Sequence, residues 1–357
     1  MKNKNNAKIK VLVAMSGGVD SSVAAALLVS QGYNVTGVFV VNYEEENEEM
    51  VKCWTSDYQD ALRVAAHLGI PLVRWDFKKE YKAAVLDYMY DQYRAGRTPN
   101  PDVLCNKFVK FGAWLDKARQ FGFDKLATGH YARVGAKADQ YTLLQAKDDN
   151  KDQTYFLHQL NQDQLARTLF PLGNYTKPQV RKLAKKFGLP TAEKEESMGI
   201  CFVGEVPMKE FLAKEIKSKK GNIILSSGEV LGQHDGLPFY TIGQRSLAVK
   251  TNANKPLFVV DKRVDANELV VGYEDDPLLY KKESEISGMH WVCGAEPKLP
   301  LSCKIRLRHR QPLQNATVNK KDGKIIAQFS KLQRAVTPGQ FAVIYKNGQC
   351  LGGGVIA

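Results

Sequence analysis

Residues 11–22 read VLVAMSGGVDSS, an apolar run that halts at a Ser-Gly-Gly turn and resumes as an alanine-rich segment. The stretch from Ile9 to Val13 predicts a buried strand, and Ser21 to Ser30 predicts a helix closed by Gly32. The turn between them is then a strand-to-helix loop. Gly17 and Gly18 are expected to take positive φ and let the backbone approach a ligand, while Ser16, Ser21 and Ser22 add hydroxyl donors. Amides that converge on a helix N-terminus favour an anion. Asp20 repels a phosphate unless a divalent cation lies between them, so it is expected to contact Mg²⁺. The string lacks the Lys of the G-x-x-x-x-G-K-[ST] loop, which excludes a Walker-type site.

Outward from this loop the chain alternates. Asn34 to Val41 predicts a second strand, Ser56 to Leu68 a helix with Tyr58, Ala61, Leu62, Ala65 and Leu68 as its apolar stripe, and Pro71 to Trp75 a third strand. Such alternation predicts an α/β domain with a doubly wound parallel sheet, whose ligands lie beyond the carboxyl ends of the strands. Lys79 to Tyr93 predicts a further helix. RTPNPDVLCNKFVKF (97–111) then reads as a loop that feeds a helix starting near Asn106, with Cys105 just before it. There the helix dipole, Lys107 and Lys110 would enrich the thiolate. Lys125 to Thr128 predicts a strand ending at Gly129 and His130, again on the carboxyl edge. Tyr131 to Gln145 alternates like a hairpin. TKPQVRKLAKKF (176–187) predicts a basic helix capped by Thr176, and Cys201 falls on a glycine-bracketed loop, SMGICFVGE (197–205).

Beyond residue 205 the character changes. Pro207 to Lys220 predicts one basic helix, followed by short strands and glycine turns of a small, mostly β central domain. Residues 278–357 predict about six strands of a β-barrel. The expected domains are therefore 1–205, 206–277 and 278–357. The chain of 357 residues carries a formal charge of +13, and residues 278–357 hold thirteen Lys and Arg against four acids, a net +9. That excess points to a polyanion partner, and nucleic acid is expected. In CKIRLRHRQ (303–311), period-two spacing places Lys304, Arg306 and Arg308 on one strand face with His309 on the other. With 44% hydrophobic and 25% charged residues the composition is that of a soluble globular protein. No apolar run has the length of a membrane span and the start resembles no signal peptide, so a cytoplasmic protein is expected. Six scattered cysteines, none in a C-x-x-C pair, suggest neither a disulfide framework nor a zinc site.

SGG-x-DS resembles the pyrophosphatase loop of enzymes that split ATP between its α and β phosphates and form adenylates. SGGVDSS, NPDVLCN, GHYAR, KDQTYFL, SMGICFVGE, RHRQP and TPGQ stand in the order found in the tRNA-specific 2-thiouridylases, and the resemblance runs from about residue 8 to the C-terminus. It implies an adenine nucleotide alpha hydrolase-like N-terminal fold and a tRNA-uridine 2-sulfurtransferase that replaces O2 of the wobble uridine with sulfur. ATP would be held by Ala14, Met15, Ser16, Gly17, Gly18, Val19, Asp20 and Ser21, with Val40 and Gly129. Relatives usually carry Met at the Val40 position. Asn100, Pro101, Asp102, Lys151, Asp152 and Gln153 would meet the target base, and His130, Arg308, His309 and Gln340 the rest of the tRNA anticodon arm. Cys201 would carry a persulfide received in trans from a sulfur-relay protein or cysteine desulfurase, with Cys105 as the catalytic thiol and a Cys105–Cys201 disulfide as by-product. The alternative is another adenylating enzyme with the same loop, an amide-forming synthetase or a lysidine-type tRNA ligase, which needs neither cysteine.

Overall fold

The computed structural model of the chain describes residues 5–44, 48–137, 140–195, 207–245, 249 and 255–357. At its centre is β1 (Lys10–Ala14), flanked in parallel by β2 (Asn34–Val41) and β4 (Lys125–Ala127), with β3 (Leu72–Asp76) beyond β2 and the two-residue β7 (Thr168–Leu169) beyond β4. The strand order β3-β2-β1-β4-β7 reverses its direction of travel between β1 and β4. A crevice therefore opens above the carboxyl ends of those two strands. The alternation along each strand divides two cores. Val11, Val13, Phe39 and Val41 pack against α1 (Val19–Ser30) and α2 (Glu48–Leu68), whereas Leu12, Val38 and Val40 pack with two long helices, α3 (78–94) and α4 (101–120). Burying a side chain such as Leu12 contributes about 1.5–3 kcal/mol.

Three local expectations are corrected. α2 begins at Glu48, ahead of Ser56, and Leu62 faces outward at 42% exposure while Val64 is fully buried in its place. Of the basic helix expected over 207–220, only Met208–Ala213 is helical. The lysines at 214, 217, 219 and 220 repel one another along a helix and offer no apolar stripe. α4 starts at Pro101, with Asn100 as its N-cap, rather than near Asn106. Pro101 occupies the first helical position, where its missing N–H costs nothing. From Cys105 to Trp114 the helix widens to a π-helical register, and Asn106 Nδ2 donates to the Asp102 carbonyl oxygen at 3.0 Å.

The central part is a four-stranded sheet in the order β10-β11-β8-β9, from β8 (Gly221–Leu225), β9 (Val230–His234), β10 (Phe258–Arg263) and β11 (Glu268–Gly272). The C-terminal part is a closed barrel of β12 (Tyr280–Trp291), β13 (Leu301–Arg306), β14 (Gln314–Lys321), β15 (Lys324–Arg334), β16 (Phe341–Lys346) and β17 (Gln349–Ile356), sealed by antiparallel pairing of β12 with β17. The expected hairpin is present as β5 (Arg133–Lys137) and β6 (Gln140–Leu144). Its destination was not legible: β6 adds to β17 through Leu144 opposite Gln349 and Leu143 opposite Cys350, so the barrel sheet continues into the N-terminal half. Residues of β16 also alternate between two cores. Ala342 and Ile344 point into the barrel, while Phe341, Val343 and Tyr345 join the core that holds Leu12 and Cys105.

Candidate active site

The loop after β1 is built around one glycine. Gly17 has φ +74°, and a Cβ placed on it would lie 2.2 Å from the Asp57 carbonyl oxygen of α2. Gly18 has φ −88°, so positive φ is confined to Gly17. Extended Gly18 is the N-cap of α1, and its carbonyl accepts from Ser21 Oγ at 3.0 Å and Ser22 Oγ at 2.8 Å. Ser22 is thereby turned inward, where Thr191 Oγ1 also donates to it at 3.0 Å. Ser21 is buried as well and accepts from the Ser16 amide at 3.2 Å. Ser16, Gly18 and Asp20 are left at the mouth of the crevice, while Met15 and Val19 are core residues. Gly129, at the end of β4, lies backbone to backbone against Asp20 and Ser21.

Asp20 has two partners that the sequence did not reveal. Lys177 Nζ lies 2.8 Å from both carboxylate oxygens, and Tyr131 Oη donates to Oδ1 at 2.9 Å. Lys177 opens α5 (Lys177–Lys186) behind Thr176, whose capping box satisfies the first turn. A cation in the first turn opposes the helix dipole, and that mismatch was the available signal of a partner elsewhere. Together Asp20, Lys177 and Tyr131 put one anion, one cation and one hydroxyl at the positive end of α1. Magnesium is bound by one or two carboxylates together with substrate phosphates, and Asp20 at the loop mouth fits that donor set.

Cys105 lies in the second turn of α4 with zero exposure, in the core that also contains Val40 and Leu126. The expectation of a thiol just ahead of a helix is thus corrected to one enclosed within it. Cys201, with the whole segment 196–206, falls outside the described residues.

His130 is half-buried, with Nδ1 2.8 Å from Thr128 Oγ1 and its ring flanked by Phe111 and Phe170. Burial, aided by the charge of Lys110, holds its pKa well below the ordinary histidine value, so the ring is neutral. Gln153 Oε1 accepts from the Tyr131 amide at 2.9 Å, which ties the 151–153 segment to the end of β4. That segment in turn meets the turn after β13. His309 packs on Phe156 with ring centroids 4.4 Å apart, and burial together with Arg310, Arg306 and Lys151 pushes its pKa down to about 4. Arg308 is exposed.

Two side chains expected to meet RNA are engaged within the protein. Asp152 is 1% exposed, and its carboxylate accepts from the Ala146 amide at 3.0 Å, Thr154 Oγ1 at 2.8 Å and Arg306 Nη1 at 3.2 Å. Arg306 is itself 7% exposed, so the cation row Lys304, Arg306, Arg308 is interrupted. The 151–155 segment covers that face of β13 at Arg306, and the carboxylate neutralises what it covers. Gln340, the other, has its amide engaged by the 98–100 loop: Nε2 donates to Thr98 O at 2.9 Å and to Pro99 O at 3.1 Å.

Comparison with known proteins agrees with this layout. The family description "tRNA methyl transferase HUP domain" matches residues 9–205, "tRNA methyl transferase PRC-barrel domain" residues 209–273 and "Aminomethyltransferase beta-barrel domain" residues 281–356. The chain is 47% identical over 360 residues to "tRNA-specific 2-thiouridylase MnmA" of Streptococcus sanguinis (strain SK36), covering 99% of this chain and 96% of that one. To the protein of the same name from Shouchella clausii (strain KSM-K16) it is 46% identical over 355 residues, with 99% and 98% covered. At that identity over nearly the whole length, the chain belongs to the tRNA-specific 2-thiouridylase family.

Proposed function

We propose that this chain catalyses ATP-dependent 2-thiolation of the wobble uridine of tRNA in the cytoplasm, with the parts 1–205, 206–277 and 278–357 serving catalysis, connection and RNA docking. The observation that carries the reading is a single crevice. The Gly17 loop with the Asp20–Lys177 pair opens it, and the helix bearing Cys105 packs behind it in one core with Val40 and Leu126. A carbonyl oxygen is displaced by sulfur only after it becomes a good leaving group, which gives an α,β-splitting loop its purpose. Methyl transfer, which two of the family descriptions name, needs neither that loop nor two thiols.

In the proposed sequence, the segment from Ala14 to Ser21 holds ATP with its phosphates at the N-terminus of α1, and Val40 and Gly129 flank the nucleotide. Asp20 would hold Mg²⁺, which supplies charge neutralisation between the phosphates when bound. Lys177, held at Asp20, would donate to a phosphate oxygen. Asn100, Pro101, Asp102, Lys151 and Gln153 would receive the flipped base, with neutral His130 beside it. Uridine O2 attacks the α phosphorus, pyrophosphate leaves and the N3 proton is lost. The terminal sulfur of a Cys201 persulfide, loaded by a relay protein or desulfurase, then attacks C2 and expels AMP. Cys105 thiolate cleaves the remaining S–S bond, leaving sulfur on C2 and a Cys105–Cys201 disulfide that a dithiol reductant reopens.

The decisive experiment mixes the purified chain with ATP, a persulfide donor and an unmodified tRNA transcript, and reads nucleosides by mass spectrometry. 2-Thiouridine with stoichiometric AMP is expected; a methylated nucleoside, or none, overturns the reading. Two narrower outcomes follow from the geometry. Gly17→Ala meets both a backbone clash and a left-handed φ, which alone costs about 1–2 kcal/mol, so ATP affinity by calorimetry should fall at least about tenfold. Gly18→Ala, with its nearest neighbour Ser16 Oγ at 3.5 Å, should bind ATP nearly normally, and equal affinities in the two variants would exclude the loop as the nucleotide cradle. For exposed Arg308, Arg308→Ala should reduce the slope of log affinity for tRNA against log salt by about one. An unchanged slope places Arg308 off the RNA.

A further inference from the structure

Residues 191–194 form a turn behind α5 that holds the Gly17 loop from two sides. On one side Thr191 Oγ1 donates to Ser22 Oγ at 3.0 Å, and Ser22 Oγ in turn donates to the Gly18 carbonyl at 2.8 Å. On the other, Lys194 Nζ lies 2.7 Å from Asp57 Oδ1 and 2.7 Å from Asp60 Oδ2, both on α2. Asp57 is the residue whose carbonyl oxygen leaves Gly17 no room for a Cβ. Arg181 of α5 fixes the turn itself, since its Nη1 donates to Ala192 O at 3.0 Å and to Lys194 O at 2.6 Å. A second link, from His67 Nε2 to Phe187 O at 2.7 Å, ties the end of α2 to the end of α5. Arg63 pairs with the other oxygen of Asp60 at 3.0 Å, so two carboxylates share two cations and the cluster is neutral.

We propose that Lys194 is a positioning residue for the nucleotide loop: it fixes the α2 wall that shapes the Gly17 turn, so that ATP affinity depends on a contact made behind the loop. The side chains of Lys194, Asp57 and Asp60 are 28%, 34% and 19% exposed, so water and salt screen their pairing only in part. Without the ammonium, two carboxylates that now meet at one nitrogen face each other with only Arg63 to offset them. Repulsion then drives them apart, together with the α2 backbone that carries them. The main chain at Asp57 no longer backs Gly17. Hydrogen bonds behind a ligand shell are worth about 10- to 100-fold in affinity at metal sites, and a phosphate held by oriented groups makes the same demand for fixed geometry. The proposal rests on the nucleotide reading of the loop for its affinity test alone.

The test uses the full chain in three variants. Lys194→Met keeps the stem and removes the charge, Lys194→Arg still reaches both carboxylates, and Asp57→Ala with Asp60→Ala removes what Lys194 holds. The ATP Kd by calorimetry should rise about tenfold in Lys194→Met and stay within about threefold in Lys194→Arg. It should also rise about tenfold in the double-alanine variant, although deleting two negative charges near a phosphate site would by itself tighten binding. The Ser16 amide is bonded to Ser21 Oγ and the Ser22 amide to Gly18 O. Hydrogen exchange at both should quicken at least about tenfold in Lys194→Met and the double variant, with β16 unchanged as the check on global folding. Unchanged or tighter ATP binding in the double-alanine variant would make Lys194 a direct phosphate contact and overturn the proposal. Normal ATP affinity in Lys194→Met, or unaltered exchange at Ser16 and Ser22, would overturn it as well. If the wild-type chain binds no ATP, the nucleotide reading falls, and the exchange result still decides the clamp.

Discussion

Cys105→Ser is expected to lower thiolation by about a thousandfold or more while leaving tRNA affinity within about twofold. The substitution is nearly isosteric, and at a site with zero exposure that matters: the core around Val40 and Leu126 stays filled. What is lost is chemistry. A serine hydroxyl is hardly ionised at neutral pH and cannot form the S–S bond by which Cys105 would release the transferred sulfur. Adenylation precedes that step, so release of pyrophosphate in the presence of tRNA should persist for a single turnover. Mass spectrometry of the tRNA and filter binding check the two halves. Thiolation at the normal rate would reduce Cys105 to a packing residue, which its burial alone also explains. Cys201→Ser should be equally inactive for a different reason, since it removes the persulfide carrier.

Asp152→Ala is expected to cost about 3–5 kcal/mol of stability, read as a lowered urea midpoint. The carboxylate and the Arg306 guanidinium are both enclosed, and removing one leaves the other charged with no compensating partner. The Ala146 amide loses its acceptor at the same time, and Thr154 Oγ1 loses the shorter of its two. The double variant Asp152→Leu with Arg306→Met should recover much of the loss, because a paired apolar replacement leaves no orphan charge. If Asp152 instead touched RNA, the single variant would weaken tRNA binding and leave the midpoint in place. The same pair joins the 151–154 segment to β13, so the stability loss should appear as separation of the barrel from the N-terminal half in limited proteolysis.

Much of the framework was legible because it is local. The apolar run before Gly17, the alanine-rich helix after it and the capping box from Thr176 to Gln179 are each decided within a few residues. The barrel, too, announced itself through period-two alternation. What stayed hidden is non-local or turns on a residue with two readings. Pro99 and Pro101 read as helix breakers, whereas Pro101 is the first residue of the helix, which moved Cys105 from a loop into the core. Arg306 sits in phase with Lys304 along the strand, and only a carboxylate 154 residues away explains why it is buried. Lys177 and Asp20, 157 residues apart, meet because α1 and α5 converge on the crevice, a fact of topology with no trace in spacing.

The outer surface of β16 belongs to the same apolar mass as the N-terminal half, through Phe341, Val343 and Tyr345, and Cys350 of β17 joins them. A fragment made of residues 278–357 would bare those side chains to water, and it would leave Gln349 and Cys350 without the strand that now completes their ladder. Such a piece is suited to clumping rather than to carrying RNA by itself. Swapping this barrel onto another enzyme, or exchanging it between relatives, therefore succeeds only if the hairpin over 133–144 travels with it.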